Sequence, residues 1–146
     1  MKKYLAYGAN MSVDMMMKRC PKAKLLGTGI LDGYRLMFKG TPPNSYGTIE
    51  PWEGFCVPFV LWEITPANEK SLDRYEGYPR VYKKRTVELE LCGDKITAMY
   101  YSKPETERVN PPSEHYVNVL WQAYEHFGFD LGILIRARDF SCGDSF

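Results

Sequence analysis

The 146-residue sequence contains only two histidines, His115 and His126, and four widely spaced cysteines, Cys20, Cys56, Cys92 and Cys142, without a Cys-x-x-Cys pair. Structural zinc sites draw on closely spaced Cys and His, so a zinc site has no support in the sequence. It has no glycine fingerprint for a dinucleotide and no Gly-x-Ser-x-Gly elbow. A His-based triad would have to recruit a histidine from the last predicted helix, where His115 falls in the first turn and the dipole disfavours an imidazolium. Lys and Arg number 19 against 18 Asp and Glu, a net charge of +1. That balance produces no field to draw in nucleic acid or an anionic membrane, so neither partner is expected. No apolar run is long enough to span a bilayer. The start, Met1-Lys2-Lys3, lacks the apolar core of a secretory signal, which predicts free thiols in a reducing cytoplasm.

What remains is the composition of an ordinary globular protein, 45% hydrophobic and 25% charged. The length suits a single domain over residues 1–146 with one core. Tyr4-Leu5-Ala6-Tyr7 reads as a short strand stopped by Gly8. Ser12 caps a helix to about Cys20, and the Met15-Met16-Met17 triplet on it reads as packing. Residues 23–38 are β-forming, with Asp32-Gly33 as a turn signal. The Pro-, Gly-, Asn- and Ser-rich stretch from Gly40 to Gly54 reads as a long surface loop, a candidate lid, with a little strand near Thr48-Ile49. Val57 to Ile64 is the strongest predicted strand. Thr65-Pro66 opens a helix that ends near Glu76, with Gly77 just beyond it. Tyr82 to Leu91 alternates apolar and charged residues and returns through Cys92-Gly93-Asp94 into Ile96 to Tyr101, a hairpin. Ser113 caps a helix that ends before Gly128, with Tyr116, Leu120, Tyr124 and Phe127 as its apolar stripe. The last residues read as a short strand or arm and a tail. Strands interspersed with about three helices indicate an α+β domain on a mixed, curved sheet or small β-barrel.

Two segments hold candidate chemistry. Tyr7-Gly8-Ala9-Asn10 runs from a strand into a glycine turn before a helix; its N–H groups can form a nest for a carboxylate or an oxyanion, and equally can be a plain tight turn. Leu72-Asp73-Arg74-Tyr75-Glu76-Gly77-Tyr78-Pro79 puts Glu76 at a helix C-terminus beside tyrosines. If Glu76 faces inward, the dipole and desolvation both raise its proton affinity and suit it to proton transfer; if it faces out, it is an ordinary last-turn residue.

Strand-Tyr7-Gly8-Ala9-Asn10, then Leu72-Asp73-x-x-Glu76-Gly77 with Tyr82 beyond it, then Pro112-Ser113-x-x-Tyr116, resemble in order and spacing the γ-glutamylcyclotransferase-like family over nearly the whole chain. The family loop usually reads Tyr-Gly-Ser-Asn, so Ala9 lacks one hydroxyl. The Glu-Gly-x-Pro-x-x-Tyr pattern from Glu76 to Tyr82 looks more like the AIG2-like branch acting on γ-glutamylamines. The resemblance implies an enzyme releasing 5-oxoproline from a small γ-glutamyl amide, without cofactor or metal, on a small mixed β-barrel. It implies Glu76 as general acid/base, with Tyr7, Gly8, Ala9 and Asn10 cradling the substrate. Tyr82 and Tyr116 match family tyrosines and either line the site or pack; Tyr78 is a candidate by proximity to Glu76. Two alternatives share the fold: a non-catalytic ligand-binding module, and a cyclotransferase acting on a carrier-tethered γ-glutamyl group, for which Lys83-Lys84-Arg85 is a candidate basic rim. The leaving amine and the oligomeric state have no readable code.

Overall fold

A computed structural model describes residues 1–143, and its elements follow local signals at most boundaries. Strand β1 spans Lys2–Ala6; after Tyr7 and Gly8 a 3-10 turn, Ala9–Met11, leads into helix α1, Val13–Arg19. The Ser12 hydroxyl accepts the Met15 N–H at the start of α1, supplying an acceptor to a donor the first turn leaves free. Met16 is fully buried, Met15 is half-buried and Met17 is exposed, so one methionine of the triplet fills the core. Strands β2 (Lys24–Lys39) and β3 (Tyr46–Ile64) form a long hairpin, followed by α2 (Pro66–Glu76), β4 (Lys83–Leu91), β5 (Asp94–Ser102), α3 (Glu114–Phe127) and α4 (Leu131–Ser141).

The five strands form one sheet in the order β2-β3-β1-β5-β4. β1 is antiparallel to β3 and parallel to β5, the only parallel pairing among the described residues. The sheet is open in its hydrogen bonding, yet it curves until its edges meet: a Cβ placed on Gly27 of β2 would lie 3.5 Å from Leu91 of β4. The fold is thus α+β on a curved mixed sheet. Helix α4 packs on β2, α3 on α4 and the 3-10 turn, and α2 on β3 and α1.

Three sequence expectations need correction. Residues 46–54 belong to β3, so the expected loop and lid reduce to the turn at 40–45. Pro51 and Pro58 are tolerated because the stretch before Val60 pairs only with β2; β1 joins β3 from Val60 onward, where a missing N–H would cost a ladder bond. Asp32-Gly33 marks a bulge, since the register steps from Tyr34↔Pro51 to Asp32↔Cys56 and leaves Trp52 to Phe55 opposite Gly33. Arg35 fixes that bulge, its guanidinium lying 4.8, 4.4 and 4.0 Å from the ring centres of Trp52, Phe55 and Phe140. The expected C-terminal arm is instead the helix α4, capped by the Asp130 carboxylate on the Gly132 N–H; the remaining tail, 144–146, lies outside the described residues.

The β2–β3 pairing is tightest at Gly29, where a Cβ would lie 2.6 Å from Phe59 Cζ, and Phe59 is buried. Gly29→Ala forces that ring or the strand to move, and overpacking of this kind costs about 1–3 kcal/mol. Chemical denaturation should show a lower midpoint for the variant; an unchanged midpoint would mean the pairing accommodates a methyl group.

Candidate active site

Glu76 is the last residue of α2, and the helix end is built to hold it. A capping box secures the start: Thr65 Oγ1 accepts the Asn68 N–H and Asn68 Oδ1 accepts the Thr65 N–H, both at 3.0 Å. Leu72 is fully buried. At the other end Gly77 adopts φ 65°, and the Tyr78 N–H reaches the Asp73 carbonyl at 2.9 Å. This left-handed stop suits glycine. A side chain there would also meet Val81 Cγ2 at 2.9 Å.

The turn of residues 7–11 faces this helix end. Met11 is fully buried, and the Trp62 indole N–H donates to the Asn10 carbonyl at 3.1 Å, pinning the turn to β3. The turn's own bonds run from the Met11 N–H to the Gly8 carbonyl and from the Ser12 N–H to the Ala9 carbonyl. The N–H groups that open such a turn have no partner inside it. The Asn10 side chain is already engaged: its amide donates to the Tyr4 hydroxyl at 3.1 Å and its Oδ1 accepts from Arg19 Nη1 at 2.7 Å.

Between the two segments lies a cavity of 270 Å³. It brings together Tyr7, Gly8, Ala9, Asn10, Glu76, Tyr82 and Tyr116 from the sequence candidates and adds Tyr4, Tyr46, Gly47, Tyr75 and Tyr101. Tyr78 does not join them: its exposed ring points to Lys84 Nζ, 4.4 Å from the ring centre, and borders a different groove. The added residues escaped sequence reading because strand pairing, not local pattern, delivers them. Tyr46-Gly47 lies in the stretch that resembled a loop, and Tyr101 ends an ordinary strand.

Hydrogen-bond direction divides the tyrosines. Tyr7 donates to the Tyr101 carbonyl at 2.6 Å, Tyr82 to the Gly47 carbonyl at 2.7 Å, and Tyr101 to Asp73 Oδ1 at 2.6 Å. Their protons are committed. Tyr116 instead accepts the Gly47 N–H at 3.0 Å, and Tyr4 accepts from Asn10. A hydroxyl has one proton to give, so the protons of Tyr116 and Tyr4 are uncommitted, as are those of Tyr46 and Tyr75, which donate to no partner among the described residues. The Tyr116 oxygen also sits against the glycine turn, 3.1 Å from where a Gly8 Cβ would be. Burial raises the pKa of Tyr4, Tyr7, Tyr82 and Tyr116, and the nearby Glu76 charge adds to it, so all four stay protonated at neutral pH.

Burial likewise pushes the Glu76 carboxyl up to about 7, against opposing pulls from the charges of Arg19 and Lys103. Arg19 is held by Asn10 and by the Tyr75 ring, 3.5 Å below its guanidinium. The site is thus a mostly neutral, tyrosine-walled cavity with one carboxylate that exchanges its proton near pH 7.

A larger groove, 820 Å³, lies across the β1–β5–β4 side and holds neither Glu76 nor the turn. Most of its cations are committed: Lys2 and Lys84 to Glu69, Lys84 also to Asp73, Lys103 to Glu107, and Arg85 to the Ser102 hydroxyl. The Lys83-Lys84-Arg85 run is therefore tied down, with Lys83 donating to the Pro79 carbonyl. Both histidines are exposed and away from the cavity. No group of three or more His, Cys, Asp or Glu side chains converges as a metal site, and no helix is long and apolar enough to cross a membrane, among the described residues.

Residues 4–121 match the family model described as gamma-glutamyl cyclotransferase, AIG2-like. A gamma-glutamylcyclotransferase from Bos taurus is 29% identical over 143 residues, covering 88% of this chain and 72% of the bovine protein. A solved structure titled gamma-glutamyl cyclotransferase superposes with a TM-score of 0.82 at 23% identity, over 93% of this chain and 85% of that one. An uncharacterized protein from Homo sapiens superposes at 0.81 and 24%, with the same coverage.

Proposed function

The chain belongs to the gamma-glutamyl cyclotransferase, AIG2-like family, and from that premise we propose that it releases 5-oxoproline from a small γ-glutamyl amide, with Glu76 carrying the proton. The observation that supports this most is the position of Glu76: a partly buried carboxyl, pushed up to about 7, facing an uncommitted hydroxyl and a glycine turn across a small cavity. The substrate's α-amine attacks its own γ-carbonyl carbon, forming the lactam C–N bond, and the bond to the leaving amine breaks. Curling the glutamyl arm into attack geometry contributes roughly 7–11 kcal/mol. Glu76 takes the proton shed by the attacking amine and returns it to the departing nitrogen, so protons balance without water. As the carbonyl oxygen gains charge, the N–H groups of the Gly8–Asn10 turn and the Tyr116 hydroxyl stabilise it. Ala9 is compatible with this division of labour, since the turn works through backbone groups.

Glu76 acts first as a base, so kcat/KM should rise about tenfold per pH unit below pH 7 and level off above it. A profile flat from pH 5 to 8 would separate the rate from this carboxyl.

The identifying experiment is product analysis on γ-glutamyl-amino acids, γ-glutamyl-lysine isopeptide, glutathione and simple γ-glutamylamines. 5-Oxoproline from any of them supports the reading and names the leaving amine. Folded protein that cyclises none leaves the binding-module alternative.

A further inference from the structure

Lys103 is a buried lysine that the mechanism above does not use. It follows the end of β5 and is 3% exposed, with its backbone N–H on Thr48 Oγ1 at 2.9 Å. Its ammonium pairs with Glu107 Oε2 at 2.9 Å. The same ammonium lies 5.7 Å from the ring centre of Tyr82 and 5.8 Å from that of Tyr46, two walls of the Glu76 cavity. It is packed under Gly40, whose Cβ would sit 2.9 Å from Nζ. Stability alone is a poor reason for burying this ammonium, because its partner Glu107 is 34% exposed and an ion pair that reaches solvent adds little. Its place behind the cavity wall suggests an electrostatic reason.

We infer that the Lys103–Glu107 pair is a positioning device for the site: Lys103 acts through the Tyr46–Tyr82 wall to keep Glu76 able to release its proton, and Glu107 limits that effect. A cation near a buried carboxyl favours its ionised form, and an anion beside that cation weakens the pull. Without that charge only Arg19, the stronger of the two cationic influences, would oppose burial, and Glu76 would hold its proton further above neutrality. The other charged or titratable groups facing Glu76 are Arg19 from α1, Tyr4 and Tyr7 at β1, Tyr46 on β3, Arg74 and Tyr75 on α2, Tyr82 ahead of β4, Tyr101 on β5 and Tyr116 on α3. Of these only Arg19 is a second cation acting on Glu76, and no counter-ion pairs with it among the described residues. Lys103 is the cation whose influence is trimmed by a partner.

The inference rests on the role proposed for Glu76 only where it concerns rate, so the direct readout is the Glu76 carboxyl itself, titrated by ¹³C NMR. Lys103→Met should move the midpoint up and Glu107→Gln should move it down, each by about half a pH unit. The double substitution Lys103→Met with Glu107→Leu, an apolar replacement of the pair, should fold and fall between wild type and Lys103→Met. Shifts in the same direction, or none, would overturn the inference, because loosened packing has no reason to give opposite signs. If the midpoints move oppositely while the pH profile of kcat/KM stays fixed, the inference stands and the proton-carrier role of Glu76 fails.

Discussion

Glu76→Gln loses about 10²–10⁴-fold in kcat/KM, the usual worth of a positioned acid/base, and becomes more stable above neutral pH. The two effects come from one cause. The folded protein holds the Glu76 proton up to about pH 7, whereas a free glutamate releases it near 4.5. Between those values the native state binds more protons than the unfolded state, so this group's contribution to stability is present at low pH and lost as pH rises through 7. At pH 8 the wild type bears an ionised carboxylate in a poorly solvated cavity. That costs about 3 kcal/mol, less whatever solvent at the cavity mouth relieves. Glutamine has nearly the same shape and no charge to desolvate. Thermal unfolding at pH 8 should therefore give a higher midpoint for the variant, with the difference vanishing near pH 4. A less stable, inactive variant would mean that Glu76 serves the fold.

Tyr116→Phe should lower kcat by about 10²-fold, the typical result of removing one oxyanion donor. It also deprives the Gly47 N–H of its acceptor, so a modest loss of stability, about 1 kcal/mol, accompanies it. The comparison that isolates the catalytic part is Tyr82→Phe. Tyr82 bonds the same residue, Gly47, through the carbonyl, and its proton is already committed. Tyr82→Phe should therefore show a similar loss of stability with much less effect on kcat. Equal losses of kcat in both would place Tyr116 among the packing residues.

Helix ends were legible because their causes are local: Ser12, Thr65-Pro66, Ser113, Gly77 and Gly128 each act on N–H or carbonyl groups a few residues away. The β3 segment from Tyr46 to Gly54 was illegible because its glycines and prolines resemble a loop until β2 supplies a partner along one edge. Helix α4 was obscured by the short span after Gly128, although the Asp130 cap is visible in retrospect. In the site, Glu76 and the Tyr7–Asn10 turn could be singled out in the sequence, but their meeting depends on β1 lying centrally in the sheet and α2 packing on β3. The pairing of Gly47 with both Tyr82 and Tyr116 depends on contacts 35 and 69 residues apart, which no local pattern encodes.

The most direct test of the central claim is turnover of a γ-glutamyl amide in H₂¹⁸O by wild type and Glu76→Gln. Intramolecular attack that uses Glu76 predicts 5-oxoproline free of ¹⁸O, formed at least about 10²-fold faster by the wild type. Labelled glutamate as the primary product, or equal rates for the two proteins, would contradict it.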